Sequence, residues 1–133
     1  MYYAIDIRHN TNLRFLHFGR IKLNQLSKYH KIKPVVWMQM VVSQINSSQI
    51  KELRFLIEVD FFHDLKQINW NLLENLFAQP HFSGLKKIWF DVDRVGCLDP
   101  SSAGVWIRRK LPACDARGIL RFRDTCSLRC PEK

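Results

Sequence analysis

The sequence has few of the short motifs that most directly reveal an activity. It contains only five glycines, and none of them forms the GxGxxG or GxxxxGK pattern with which a chain holds a nucleotide phosphate. Its four cysteines include one short pair, Cys126 and Cys130, whereas zinc sites use four cysteine or histidine ligands in paired short spacings. The sequence therefore predicts free thiols, no metal site and no cofactor.

Long hydrophobic segments are also missing. The longest apolar run, residues 34–42 (PVVWMQMVV), is interrupted by Gln39 and is far shorter than the roughly 20 residues that span a bilayer. The N-terminal stretch MYYAIDIRHN has no basic segment followed by an apolar core and a small-residue cleavage site, so it is not typical of a secretion signal. We therefore expect a cytoplasmic or nuclear protein that does not bind membranes.

A convergent catalytic set is not evident. His63 and Asp64 are adjacent and could act as an acid–base pair, but no nucleophile accompanies them. Adjacent polar residues after a strand are more typical of a solvated loop. The sequence therefore predicts a protein that is not an enzyme.

The charge is strongly unbalanced towards the basic side. The chain has 21 Lys and Arg against 12 Asp and Glu, a formal net charge of +9, which favours acidic partners of any kind. The basic residues are spread over several segments, including residues 28–33, 108–110 and 117–129, and are not concentrated on one element. Of the sequence criteria for nucleic-acid binding, the chain meets only the one on charge. Nucleic-acid binding is therefore kept as the alternative function and is not the main prediction.

A recurring frame is the most informative feature that the sequence does contain. The frame is an apolar residue, two free positions, an apolar residue, one free position and Phe. It occurs as Leu13-Leu16-Phe18, Ile50-Leu53-Phe55 and Leu85-Ile88-Phe90, and without its first apolar residue as Arg117-Leu120-Phe122. The copies lie about 35 residues apart, a period typical of repeat architectures. Alternation within them predicts four parallel strands near residues 13–19, 51–59, 86–92 and 119–123, with the phenylalanines in one ladder.

A segment whose apolar residues have helical spacing follows each of the first three strands. In the middle connection Asn69 is a predicted N-cap and Pro80 a predicted end. Its predicted buried stripe is Trp70, Leu73, Leu76 and Phe77. The first connection starts at Pro34, and its predicted buried face is Trp37, Met40, Val41 and Ile45. The third is capped by Ser101 or Ser102 and stopped by Pro112, with Ala103, Trp106, Ile107 and Leu111 facing inward.

Strands that alternate with helices predict an α/β fold with a mostly parallel sheet. Because each unit restarts at the same frame, a short solenoid of about four parallel strands is favoured over a doubly wound sheet. The doubly wound alternative needs helices on both faces, whereas the strands carry polar residues on one face. We expect one domain over residues 1–125, as a fragment of a longer array, and a polar C-terminal tail over residues 126–133.

Three segments resemble a known family: LRFLHFGRIKL from Leu13, INWNLLENLFAQPHFSGLKKIWFDV from Ile68 and RKLPACDARGILRF from Arg109. They are similar to the C-terminal portion of fungal, mostly basidiomycete, F-box-like proteins, over roughly residues 10 to 124. The resemblance implies a leucine-rich-repeat-like domain that selects a client protein of a ubiquitin ligase. Only about a dozen residues precede the first strand, so the F-box is expected to be absent and adaptor docking is not carried over.

One tryptophan lies out of phase with the core positions. Trp89 points to the face opposite Ile88 and Phe90 and is a plausible anchor for a partner. The predicted partner-binding residues are Arg54, Glu58, Lys87, Trp89, Asp91, Arg121 and Arg123. The alternative for Trp89 is packing beneath a loop or against a missing part of a longer protein. The sequence thus predicts a non-catalytic protein-interaction module with an unidentified client, and a basic nucleic-acid-associated protein is the alternative.

Overall fold

A parallel sheet of four strands, flanked by helices, forms the centre of the computed structural model, which describes residues 10–23, 34–59, 62–94 and 103–126. The strands are β1 (Phe15–Lys22), β2 (Glu52–Val59), β3 (Lys87–Arg94) and β4 (Leu120–Cys126). The helices are α1 (Pro34–Gln44), α2 (Trp70–Phe77), α3 (Ala103–Lys110) and α4 (Pro112–Ala116). Two 3₁₀ turns, Phe62–Gln67 and Pro80–Phe82, flank α2.

The strands are neighbours in chain order and every pairing is parallel, as the recurring frame predicts. The register places Phe18, Phe55, Phe90 and Phe122 side by side. Their rings stack with centroid distances of 4.9, 5.2 and 6.2 Å from one strand to the next. The first three rings are buried and Phe122 is half-buried. The predicted ladder is therefore confirmed, with its last ring at the margin of the core.

Helices α1, α2 and α3 cover the side of the sheet that carries this ladder. Trp37 of α1 meets Phe18 edge-on at 6.1 Å, and Trp70 of α2 lies 5.6 Å from Phe90. Trp106 of α3 contacts Trp70 at 5.7 Å. These contacts confirm the α/β fold. The solenoid and its leucine-rich-repeat-like character stay predictions.

Helix α2 agrees with its sequence prediction in both its cap and its buried stripe. The Asn69 side chain accepts a hydrogen bond from the Leu72 N–H at 3.1 Å, which satisfies a donor that the first turn leaves free. The buried side chains are the predicted Trp70, Leu73, Leu76 and Phe77. The Trp70 indole N–H donates to the Leu65 carbonyl at 2.8 Å, so this buried ring leaves no unpaired donor.

Helix α1 begins at Pro34 as predicted, and the prediction of its buried face is right for Val41 and Ile45 and wrong for Met40. Met40 is 40% exposed and Trp37 is half-buried. The buried side chains are Val35, Met38, Val41, Val42 and Ile45. The exposed side of α1 also carries Val36, so the helix has apolar residues almost all round. An amphipathic pattern therefore does not identify which stripe faces the sheet.

Helix α3 buries Ala103 and Ile107 and half-buries Trp106, and Leu111 directly after it is also buried, as predicted; Ser101 and Ser102, the predicted caps, lie outside the described residues. Pro112 does end α3, yet it also starts the unpredicted helix α4, because proline fits a first helical turn. Gly118 follows α4 with a φ of 71°, a left-handed conformation that glycine adopts without strain. This turn leads the chain into β4.

Strand β1 contains a bulge. Phe18 pairs with Phe55 and Ile21 with Ile57, so β1 has one residue more than β2 between the two pairs. Because of the extra residue, both Phe18 and Ile21 point into the core. Arg20 lies on the opposite side, where it reaches Glu58 of β2.

Candidate functional site

The side of the sheet that faces away from the helices is named here the open face. Its side chains are Phe15, His17, Arg20, Lys22, Glu52, Arg54, Leu56, Glu58, Lys87, Trp89, Asp91, Asp93, Arg121 and Arg123. The seven predicted partner-binding residues are all among them. They share one face because side chains alternate along every strand and the three pairings keep the register.

Trp89 lies at the middle of the open face. In the register it stands between Arg54 of β2 and Arg121 of β4. The Arg54 guanidinium lies 4.9 Å from the centroid of the Trp89 ring, and its Nε donates to Asp91 Oδ2 at 3.0 Å. The indole attracts the cation through its π-face while the carboxylate fixes the orientation of the guanidinium. Trp89, Arg54 and Asp91 therefore form one ordered cluster.

On β1 and β2 the cations of the open face are paired with carboxylates. His17 Nε2 lies 3.2 Å from Glu52 Oε2, and Arg20 Nη1 donates to Glu58 Oε2 at 2.9 Å. Lys22 Nζ lies 4.0 Å from the other Glu58 oxygen. This half of the open face is close to electrically neutral.

Glu58 was predicted to bind a partner, but its side chain is more buried than a direct contact with a partner requires. Its side chain is only 8% exposed and is covered by Arg20 and Lys22. The bulge in β1 brings Arg20 to this position, because it adds one residue before Ile21. Glu58 therefore holds β1 and β2 together, and a partner reaches the two cations before it reaches the carboxylate.

On β3 and β4 the cations are not paired in this way. Lys87, Arg121 and Arg123 are exposed, and none has a carboxylate within salt-bridge distance among the residues that the structure describes. Arg123 is opposite Asp91 in the register, but the Asp91 carboxylate is bound to Arg54. The other Asp91 oxygen is buried and accepts no hydrogen bond from the described part of the chain. The cations of the open face that have no carboxylate partner among the described residues are therefore on β3 and β4.

The predicted partner-binding set does not include seven members of the open face: Phe15, His17, Arg20, Lys22, Glu52, Leu56 and Asp93. Phe15 is 59% exposed at the beginning of β1. Alternation back along the strand from Phe18 would have placed Phe15 and His17 on this side. No such signal existed for Arg20, because the bulge breaks the alternation.

A separate cavity of about 350 Å³ lies between α2 and α4, lined in part by Glu74, Cys114 and Arg117. Glu74 Oε2 accepts a hydrogen bond from the Ala113 N–H at 2.8 Å, and Arg117 donates to the Phe77 and Phe82 carbonyls at 3.1 and 2.8 Å. Burial, reinforced by the Glu74 carboxylate, raises the pKa of the Cys114 thiol to about 12. The thiol is therefore protonated at neutral pH, and the polar groups of the cavity join α4 to α2.

The remaining chemical candidates do not assemble further. His63 Nε2 lies 3.7 Å from Asp64 Oδ1 in the first 3₁₀ turn, where the His63 side chain is exposed and Asp64 is buried. Within the described ranges, no three His, Cys, Asp or Glu side chains come together as a metal site. The Cys126 side chain and Cys130 lie outside the described residues. No helix in the described ranges has the length and apolar character needed to cross a bilayer.

The open face is thus the surface on which the predicted residues converge. Its position depends on the sheet register, and its chemistry combines one aromatic ring with paired and unpaired charges. Comparisons with protein-family models, curated proteins and solved structures found no match to this chain.

Proposed function

We propose that the chain is a non-catalytic protein-interaction module that binds a partner protein on the open face of its sheet. The observation that carries this proposal is the half-buried Trp89, which lies on a polar sheet surface between two arginines. Tryptophan and arginine are enriched among the few residues that dominate the binding energy of protein interfaces. A mixture of aromatic, acidic and basic side chains fits a protein surface better than a row of phosphates.

The fixed arrangement of the side chains in the Trp89 cluster also supports this function. Arg54 is already held by the Asp91 carboxylate and the Trp89 ring. Less side-chain entropy is lost on binding when the contacting groups are fixed beforehand. Because the cluster is on the central strands β2 and β3, the sheet hydrogen bonds hold its backbone in place.

The family resemblance supports a more specific form of the proposal. The segments that resemble fungal F-box-like proteins include β3 with Trp89 and the start of β4 with Arg121. In that form the chain is a leucine-rich-repeat-like fragment related to F-box ubiquitin-ligase receptors, and the bound protein is a client.

Affinity purification with quantitative mass spectrometry tests the proposal. The bait is the full chain, compared with Trp89→Ala and with Met40→Ala, which removes an exposed side chain from the helix-covered side. We expect a set of proteins that the wild-type chain and Met40→Ala both enrich and that Trp89→Ala loses. Recovery of the same proteins by all three baits would show that the open face does not bind them.

Nucleic-acid binding is the second candidate, since the net charge is +9 and Lys87, Arg121 and Arg123 have no acidic partner among the described residues. Titrations with duplex and single-stranded DNA at increasing salt separate the two functions. An affinity that falls steeply with salt, with a slope of several phosphates, would favour this candidate. Glu52, Asp91 and Asp93 lie among the cations of the same face, so the face offers no continuous basic track to a row of phosphates.

A further inference from the structure

We infer that the partner contributes an extended acidic segment, which lies along β3 and β4 with carboxylates at alternate positions facing Arg121 and Arg123. This inference rests on the proposed function and adds the chemistry of the partner. It follows from the uneven distribution of charge on the open face, from the orientation of Arg121 and from the spacing of residues along β4.

The charge distribution shows where an acidic segment is attracted. His17, Arg20 and Arg54 each have a carboxylate partner at 3.2 Å or less. By contrast, Lys87, Arg121 and Arg123 have none in the described part of the chain. Complementary charge selects partners and speeds their association, so an acidic segment is directed to β3 and β4 and not to β1 and β2.

Arg121 is oriented to receive a carboxylate. Its Nη1 donates to the carbonyls of Gly118 at 2.8 Å and Leu120 at 2.9 Å. Its Nε and Nη2 donors have no partner among the described residues. These two nitrogens can bind one carboxylate through parallel hydrogen bonds, the geometry in which arginine binds carboxylates best.

The spacing of the arginines indicates that the segment is extended. Arg121 and Arg123 are two residues apart on one strand, so their side chains leave the sheet on the same side from Cα atoms about 6.6 Å apart. An extended chain repeats its own side chains at the same interval. In the extended segment that we infer, the acidic residues are at alternate positions, whereas a helical partner would need them three or four positions apart to share one side.

Trp89 indicates that the segment also carries an apolar side chain. It is the cross-strand neighbour of Arg121, about 4.8 Å away in the sheet, and Leu56 lies half-buried one strand further on. A segment that binds Arg121 therefore also passes the indole. One apolar side chain next to the acidic positions completes the match.

Fluorescence anisotropy with two labelled peptides of identical composition tests the inference. In the alternating peptide two Glu residues are separated by one Ser, and in the other peptide the two Glu residues are adjacent; the remaining residues of both are Ser and one Leu. We expect the wild-type chain to bind the alternating peptide about tenfold more tightly, because its carboxylates match the strand repeat. Arg121→Glu/Arg123→Glu should weaken that binding at least about tenfold through like-charge repulsion.

Lys66→Glu/Arg109→Glu is the charge-matched control. It makes the same change in net charge at exposed residues of the first 3₁₀ turn and of α3, away from the open face. We expect less than about a twofold change in affinity, because charges beyond a Debye length are screened. Equal losses in the two double variants would mean that net charge alone binds the peptide and would overturn the inference.

The other outcomes separate this inference from the proposed function. If the two peptides bind equally, the extended geometry is wrong. If a single-stranded oligonucleotide of equal charge binds more tightly than the alternating peptide and shows the same loss in Arg121→Glu/Arg123→Glu, nucleic acid replaces the acidic segment. If neither peptide binds but Trp89→Ala still loses partner proteins, the inference fails and the proposed function stands.

Discussion

The two faces of the sheet share one backbone register and have opposite chemistry. Leu53, Ile88 and Leu120 form a buried row on the helix-covered face. One residue further along each strand, Arg54, Trp89 and Arg121 form a row on the open face. Because side chains alternate, a single step along the strand separates residues that stabilise the fold from residues available to a partner. Stability and recognition can therefore be changed by different substitutions in the same strand.

Phe90→Ala should produce the largest effect and tests the helix-covered face. Phe90 is fully buried and stacks between Phe55 and Phe122. Its truncation should lower the free energy of unfolding by about 3–5 kcal/mol, because a buried ring is replaced by a cavity. Urea denaturation measures the change, with Phe122→Ala as a milder comparison since that ring is half-buried. A midpoint unchanged by Phe90→Ala would mean that the register is wrong.

Glu58→Ala tests the member of the open face that is buried. Loss of the carboxylate leaves Arg20 and Lys22 without their partner and opens space between β1 and β2. We expect a loss of about 1–2 kcal/mol in unfolding free energy, moderated because both cations can be rehydrated. Glu52→Ala is the matched control on the same strand, where both Glu52 and His17 are more exposed, and it should cost under about 0.5 kcal/mol. Equal costs would show that Glu58 is not enclosed as described.

The pH dependence of stability tests whether the Cys114 thiol is buried on the helix-covered side. Its pKa is raised from 9.0 to about 12 in the folded chain, so between these values the unfolded chain loses the proton first. Ionisation therefore favours the unfolded state, and stability falls as the pH rises above 9, by at most about 1.4 kcal/mol per pH unit for this one group. Cys114→Ala removes this term, so the stability difference between variant and wild type should shift in favour of the variant from pH 9 to pH 11. A difference independent of pH would contradict the burial of the thiol.

Trp89→Ala should have a small effect on stability and a large effect on binding. The indole is half-buried and its described contact is with the Arg54 guanidinium, so we expect a loss of less than about 1 kcal/mol in unfolding free energy. The same urea series measures it beside Phe90→Ala. A loss as large as that of Phe90→Ala would make Trp89 a packing residue, as its alternative interpretation holds.

The sequence predicted the parts of the fold in which local pattern and packing agree. Strand order, pairing and the phenylalanine ladder follow from period-two alternation, because a strand can bury only alternate positions. Helix α2 was predicted with its cap because Asn69 precedes a stripe whose other side is polar. Six of the seven predicted partner-binding residues are on the open face with exposed or half-buried side chains, and Glu58 is there but buried.

Each of the errors has a physical cause that the local sequence pattern does not reveal. The burial of Glu58 requires Arg20, which reaches it through a bulge that no pattern in β1 indicates. The face of α1 was mispredicted because Val36 and Met40 are as apolar as the residues that are buried. Helix α4 was missed because Pro112 can end one helix and begin another.

The bulge in β1 also marks the position at which the strand can lose one residue without turning its later side chains to the opposite face. Gly19 and Arg20 lie between Phe18 and Ile21, whereas Leu56 alone lies between Phe55 and Ile57 of the neighbouring strand. Loss of Gly19 would restore one-to-one spacing, keep both apolar side chains inward and set Arg20 opposite Leu56. A deletion further along a regular strand instead turns every later side chain to the opposite face. Related chains that differ by one residue in β1 are therefore expected to differ at this point.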